Sequence, residues 1–186
     1  SGTVTRSGGV RVAYLPQNPE FAPETTVLQQ VMTGVAIDKA RAKEAKVVQQ
    51  ADEYQCKSIL TQLGLSDYDQ PIGQLSGGQK RRVALACALA AESEVLILDE
   101  PTNHIDSEMV DWLESYLKRY QGAILMVTHD RYFLERVVNR IVELDHGKLY
   151  SYPANYSQYL ELKAQREEMA LATERKRQSL YRKELA

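Results

Sequence analysis

Two uninterrupted apolar runs, VLIL at 95–98 and AILMV at 123–127, stand on either side of a helix-patterned stretch, 107–119. That succession constrains the fold more than any other feature. Short continuous apolar runs read as strands buried on both faces, and strands joined through a helix lie parallel in one sheet. The first run ends in two acids, Asp99 and Glu100. Carboxylates next to a buried strand are costly unless a positive group meets them. In open α/β sheets, ligands sit outside the carboxyl ends of the strands. Those acids are therefore the first candidates for a site.

The flanking elements extend the pattern. VRVAYL at 10–15 reads as a further buried strand, stopped by Pro16. A short helix is expected over 25–33, and a longer one over 36–63, ended by Gly64. LSGGQ at 75–79 is a turn opening a helix over 78–91, whose apolar face would be Val83, Ala86, Leu89 and Ala90. Arg81 and Arg82 read as the solvated face of that helix. A helix over 131–138, a third sheet strand RIVELD and an edge strand KLYSYP follow. From Tyr156 the chain reads as one long, charge-laced helix. Trp112 and Leu113 are expected to pack a helix on the sheet, and Tyr150, Tyr152, Tyr156 and Tyr159 to pin the tail.

Bulk properties exclude little. With 186 residues, 44% of them apolar, the chain can bury a core. A formal charge of −2 makes no global case for nucleic acid. Cys56 and Cys87 have no metal-ligand or redox spacing and read as reduced thiols. His104 and His146 have no partner pattern, so no metal is assigned to them. No signal peptide and no apolar run long enough to cross a bilayer is found, so no membrane insertion is expected.

The rim residues suggest phosphate chemistry. An Asp closing a buried strand beside a Glu can hold hydrated Mg²⁺ and polarise an attacking water, although surface strands also end in solvated acids. Ser76, Gly77 and Gly78 stand where a helix begins. Small residues there let backbone amides approach an anion, while an ordinary N-cap would look the same. His129, after the second apolar run, could hydrogen-bond a terminal phosphate. Gln17, after the strand at 10–15, could reach a metal or its water. Each of these taken alone is more simply a capping or loop residue.

Taken together and in this order, YLPQ, LSGGQ, VLILDEPTNHID and VTHD resemble the nucleotide-binding domain of ABC ATPases over nearly the whole chain. LSGGQ resembles the family's signature motif and VLILDE its Walker B strand. Gln17 falls at the Q-loop, Asp106 at the D-loop and His129 at the switch histidine. EPTNHID, the segment 112–144 and YPANYSQYLELKAQR are similar to the ABC-F subfamily, most of all its Uup type. The resemblance implies an α/β fold with a P-loop NTPase-like core sheet, a helical signature subdomain over about 18–92, a partial ATPase domain over 1–158 and the start of an interdomain linker helix over 159–186.

The same resemblance implies a mechanism. ATP and Mg²⁺ would be shared with a second ABC domain of the same polypeptide. Ser76, Gly77, Gly78 and Gln79 would contact the nucleotide held by that domain. Asp99 and Gln17 would serve the metal, Glu100 would act as general base, His129 would hold the γ-phosphate, and Asp106 would link the two sites. A GxxxxGK[ST] loop is missing from the sequence, and Gly147–Lys148, followed by Leu149, is a false match. The opening, SGTVTRSGGVRVAYLPQ, lacks a methionine and is similar to the part that follows that loop. The chain is therefore expected to be a fragment, truncated before the phosphate loop and N-terminal strands, inactive alone and prone to self-association. The intact protein is expected to be cytoplasmic, with ribosomes or nucleic acid as targets. Arg175, Lys176, Arg177, Arg182 and Lys183 could face phosphates, although the helix as an isolated piece reads more simply as a solvated face of mixed charge. A transporter's ATPase subunit is the alternative.

Overall fold

The computed structural model describes residue 5, residues 8–34 and residues 53–184, with side chains up to residue 177. The chain divides into two compact units, Ser1–His129 and Asp130–Ala186.

The first unit is built on a three-stranded parallel sheet in the order β1 (Val12–Leu15), β2 (Val95–Asp99), β3 (Ala123–Val127). Tyr14 stands opposite Ile97, and Ile97 opposite Leu125. This is the parallel arrangement that the apolar runs require. Burial, however, is one-sided. Ala13, Leu15, Leu96 and Leu98 are buried on one face. On the other, Leu125 is 57% and Val127 59% exposed. The expectation of strands buried on both faces is corrected: among the described residues, the face bearing Leu125 and Val127 is left open. Continuous apolar sequence does not reveal which face has a cover.

Helices α1 (Val27–Thr33), α2 (Glu53–Gln62) and α3 (Gly77–Ala90) pack on one another, and α3 also packs on β1. Only the end of the helix expected over 36–63 can be compared, because residues 35–52 lie outside the described residues. Gly64 ends α2 with φ +67°, as a glycine stop should. Helix α3 is the centre of this unit. Every residue from Val83 to Ala90 is buried, a wider surface than the four-residue stripe expected, because neighbours close on α3 from several sides. Helix α4 (Ser107–Arg119) has the bounds expected of it, with Lys118 and Arg119 in its last turn and Leu113 and Leu117 buried. Trp112 leans on Tyr116, with ring centroids 5.5 Å apart.

The second unit contains α5 (Arg131–Val137), a hairpin of β4 (Ile141–Asp145) and β5 (Lys148–Tyr152), and the long α6 (Tyr156–Glu184). Among the described residues, RIVELD therefore does not pair as a third strand of the parallel sheet. It pairs antiparallel with β5, Ile141 opposite Tyr152 and Asp145 opposite Lys148. The reason is the two-residue link His146–Gly147. Both residues have positive φ, 46° and 75°, as a tight hairpin turn needs. The tyrosines do pin the tail. Tyr152 meets Tyr159 edge-on at 5.1 Å, and the Arg166 guanidinium lies 3.8 Å from the centre of the Tyr150 ring.

Candidate functional site: the carboxyl rim of the parallel sheet

Glu100 follows β2 directly and turns the chain sharply. Its φ is +51°, a left-handed conformation that side-chain-bearing residues rarely adopt. The Glu100 N–H donates to the Val127 carbonyl of β3 at 2.8 Å. This contact fastens the end of one strand to its neighbour. The residue is only 8% exposed. Its carboxylate accepts the His129 backbone N–H at 3.3 Å, and its other oxygen lies 3.4 Å from His129 Nε2. The imidazole itself is open to solvent. A sheltered carboxylate thus meets an accessible ring at the mouth of the sheet, an arrangement suited to moving a proton to or from water.

Arg81 underlies this pair, and here the sequence-based expectation is corrected. The side chain is expected in solvent, yet Arg81 is 7% exposed. Its Nη1 donates to the Gln17 carbonyl, and its Nη2 donates to the carbonyls of Asp99, at 2.7 Å, and Glu100, at 3.2 Å. One guanidinium therefore ties the loop after β1 to the end of β2. Arg82 also turns inward, donating to the Leu63 carbonyl at 2.9 Å. The sequence does carry a signal for this: a helix apolar from Val83 to Ala90 leaves its basic residues no wholly solvated side.

Gln17, Asp99, Glu100 and His129 are thereby brought to one rim. Among the described residues, the Asp99 carboxylate and the Gln17 side-chain amide carry no hydrogen bond or ion pair. No group of three or more His, Cys, Asp or Glu among those residues could hold a metal unaided. One carboxylate and one amide oxygen fall short of the six oxygens Mg²⁺ requires. They do fit an ion that arrives on phosphates and keeps several waters.

The residues of LSGGQ gather at the first turn of α3. Ser76 and Gln79 form a capping box: the Ser76 hydroxyl accepts the Gln79 N–H at 3.2 Å, and the Gln79 side chain accepts the Ser76 N–H at 2.9 Å. Ser76 and Gly77 are exposed, and a Cβ on Gly77 would meet nothing. Gly78 is covered by His104, whose Cβ lies 3.5 Å from where a Gly78 Cβ would stand. His104, with φ +65°, is a residue whose place beside the site the sequence does not signal. Asp106 caps α4, accepting the Met109 N–H at 2.9 Å. Its carboxylate makes no described contact with the Glu100–His129 pair.

The remaining candidates have surroundings of their own. Cys56 and Cys87 are free and buried, and burial, reinforced by Cys56, pushes the Cys87 thiol far up from its ordinary range. His146 pairs with its neighbour Asp145 at 2.7 Å. Arg175, Lys176 and Arg177 are exposed on α6, while the side chains of Arg182 and Lys183 lie outside the described residues. No helix among the described residues is long and apolar enough to cross a membrane.

Comparison with known proteins bears on the family and the fold. Residues 3–103 match the family described as ABC transporter, and residues 142–186 match a second family of the same description. The chain is 42% identical to the uncharacterized ABC transporter ATP-binding protein YfmR of Bacillus subtilis, a match covering all of this chain and 34% of that protein. It is 38% identical to the energy-dependent translational throttle protein EttA of Haemophilus influenzae, over 95% of this chain and 37% of that one. The chain thus spans about a third of the length of these relatives. Among solved structures, the ATP-binding subunit of an ABC transporter superposes with a TM-score of 0.65 at 22% identity, covering 82% of this chain and 68% of that one. The archaeal ribosome recycling factor aABCE1, in complex with the ribosomal stalk protein aP1, superposes with a TM-score of 0.57 at 25% identity, over 81% of this chain and 28% of that one. With its signature turn, acid-terminated strand and histidine in this order and on this fold, the chain belongs to the ABC transporter family, as an ABC ATPase domain.

Proposed function

We propose that this chain is the ATP-binding and ATP-hydrolysing domain of an ABC-F type protein, which closes on a second ABC domain of the same polypeptide to act on the ribosome. The contact between the sheltered Glu100 carboxylate and the exposed His129 ring carries the hydrolytic part of this reading. Glu100 takes the proton of an attacking water, and His129 steadies the terminal phosphate. Asp99 and Gln17, with side chains uncommitted at the rim, are the residues that would hold hydrated Mg²⁺. When bound, that ion neutralises phosphate charge. Ser76, Gly77, Gly78 and Gln79 present the exposed first turn of α3 to a nucleotide held by the other domain. Asp106 links the two sites. The linker begins within α6.

The names of relatives support the ribosome as target: one is a translational throttle protein and another structure is of a ribosome recycling factor. The exposed basic residues Arg175, Lys176 and Arg177 are suited to phosphate backbones. The setting is cytoplasmic. The 186-residue chain carries no GxxxxGK[ST] loop, so alone it binds ATP poorly and is inactive. Leu125 and Val127, exposed on β3 at one edge of the described sheet, favour its self-association.

The decisive experiment uses the full-length protein. Glu100→Gln should lower ATP turnover by two orders of magnitude or more while leaving ATP binding intact, since a general base contributes about 10²–10⁴-fold. The trapped ATP form should co-sediment with ribosomes in a salt-dependent way. Rapid turnover by this variant ends the hydrolytic reading, and recovery with a membrane permease instead of ribosomes favours the transporter alternative.

A further inference from the structure

Glu100 is held in its left-handed turn from both sides. Its N–H is fixed by the Val127 carbonyl, its own carbonyl accepts from Arg81 and from the Asn103 N–H at 3.3 Å, and the preceding carbonyl, of Asp99, is fixed by Arg81. These contacts set the two backbone dihedrals of Glu100, and so the direction in which its carboxylate leaves the chain. The other arm of the guanidinium holds the carbonyl of Gln17, across from β2 in the loop after β1. Arg81 binds peptide oxygens throughout. Among the described residues it forms no ion pair with either Asp99 or Glu100, so both carboxylates stay available. A planar fork can bridge two separate loops in this way, whereas a lysine offers one point of attachment.

We propose that Arg81 is a positioning residue for ATP hydrolysis: reaching back from the helix that LSGGQ opens, it sets the backbone that aims Glu100 and places Gln17 beside it. The inference rests on the hydrolytic role proposed for Glu100. Arg81's role is separable from metal binding and from contact with nucleotide, because its side chain points beneath the rim and is nearly closed to solvent. Small misplacements of a reacting group cost rate far more than they cost affinity.

The test is a double-mutant cycle in the full-length protein, read by steady-state kinetics and by single-turnover hydrolysis of labelled ATP. Arg81→Gln should lower kcat on the order of 100-fold, with KM for ATP changed less than about threefold. In the Glu100→Gln background the same substitution should cost less than about twofold more, since a residue acting through Glu100 has nothing left to aim. Arg81→Lys, which keeps the charge and loses the fork, provides the same cycle if the Gln variant does not fold, and should recover at most about a tenth of the wild-type kcat. Near-wild-type kcat in Arg81→Gln, or losses that multiply with Glu100→Gln, overturns the inference. Undiminished turnover in Glu100→Gln alone would instead sink the hydrolytic reading, and this inference with it.

Discussion

Lys80–Arg82 and Arg175–Arg177 are both three-residue basic runs on helices, and they meet opposite fates. In α3, Arg81 is closed in and donates from its two Nη atoms to three carbonyls, while Arg82 turns to a fourth. In α6 all three side chains are exposed, and Arg177 only approaches Glu174, at 3.8 Å with both partners about half or more open to solvent. The difference is not in the runs themselves. It lies in the neighbours: α3 is enclosed by α1, α2 and β1, and its own apolar residues leave no face for the arginines to escape to. A basic residue becomes structural when a packed helix carries it past unpaired backbone oxygens.

The largest test of that contrast is on stability. Arg81→Met keeps the volume of the stem and removes the guanidinium donors from the carbonyls of Gln17, Asp99 and Glu100; the Glu100 carbonyl keeps the Asn103 N–H at 3.3 Å, and exposed Gln17 can turn to water. Each unsatisfied buried acceptor costs about 1–3 kcal/mol, and partial relaxation toward water will recover some of it. A net loss of about 2 kcal/mol is expected in urea unfolding of the full-length protein. A loss under about 0.5 kcal/mol would mean that Arg81 is as superficial as Arg177, and the contrast would fail.

What can be read from sequence follows the same division. The bounds of α4 are legible because local chemistry sets them: Asp106 accepts the Met109 N–H at one end, and Lys118 and Arg119 stand at the other. The gathering of Gln17, Asp99, Glu100 and His129 is legible because strand ends in a parallel sheet share an edge. The open face bearing Leu125 and Val127 is not legible, since a strand's letters do not say what covers it. The hairpin escapes a reading by apolar runs, although Gly147 between Asp145 and Lys148 marks a tight turn. No residue signal announces the left-handed Glu100. Only its neighbours' hydrogen bonds impose that conformation.

Within α6 a smaller version of the contrast separates its anchored start from the exposed run Arg175–Arg177. Glu143 of β4 receives Lys163 and Arg166, the latter at 3.0 Å, and the Tyr152 hydroxyl at 3.2 Å. Burial alone would raise the Glu143 carboxyl. The hydrogen bond and charge of Lys163, with Tyr152 and Arg166, outweigh it and hold the group below the ordinary carboxylate range. A depressed carboxyl contributes stability above its unfolded value and loses it as pH falls through the folded one. Docking of the α6 start on the hairpin should therefore hold at neutral pH and weaken only as pH falls below the ordinary carboxylate range, read from the near-UV signal of Tyr150, Tyr152 and Tyr159. Glu143→Gln should show the weakened signal already at neutral pH and remove the acid step. The effect should be smaller than that of Arg81→Met, because Lys163 is one-third open to solvent.

The smallest expected change tests the far end of the helix. Replacing Arg175, Lys176 and Arg177 together with Ala removes three exposed charges, and Ala is the best helix former. Unfolding free energy should therefore move by less than about 0.5 kcal/mol. Any effect of the substitution should appear in binding. If these residues meet ribosomal phosphates, co-sedimentation should weaken, and its salt dependence should become shallower by about one unit of slope per lost contact. Unchanged binding with unchanged stability would leave the run as a solvated helix face. A loss of stability comparable with that of Arg81→Met would show that α6 packs its basic residues as α3 does, and the two runs would no longer differ.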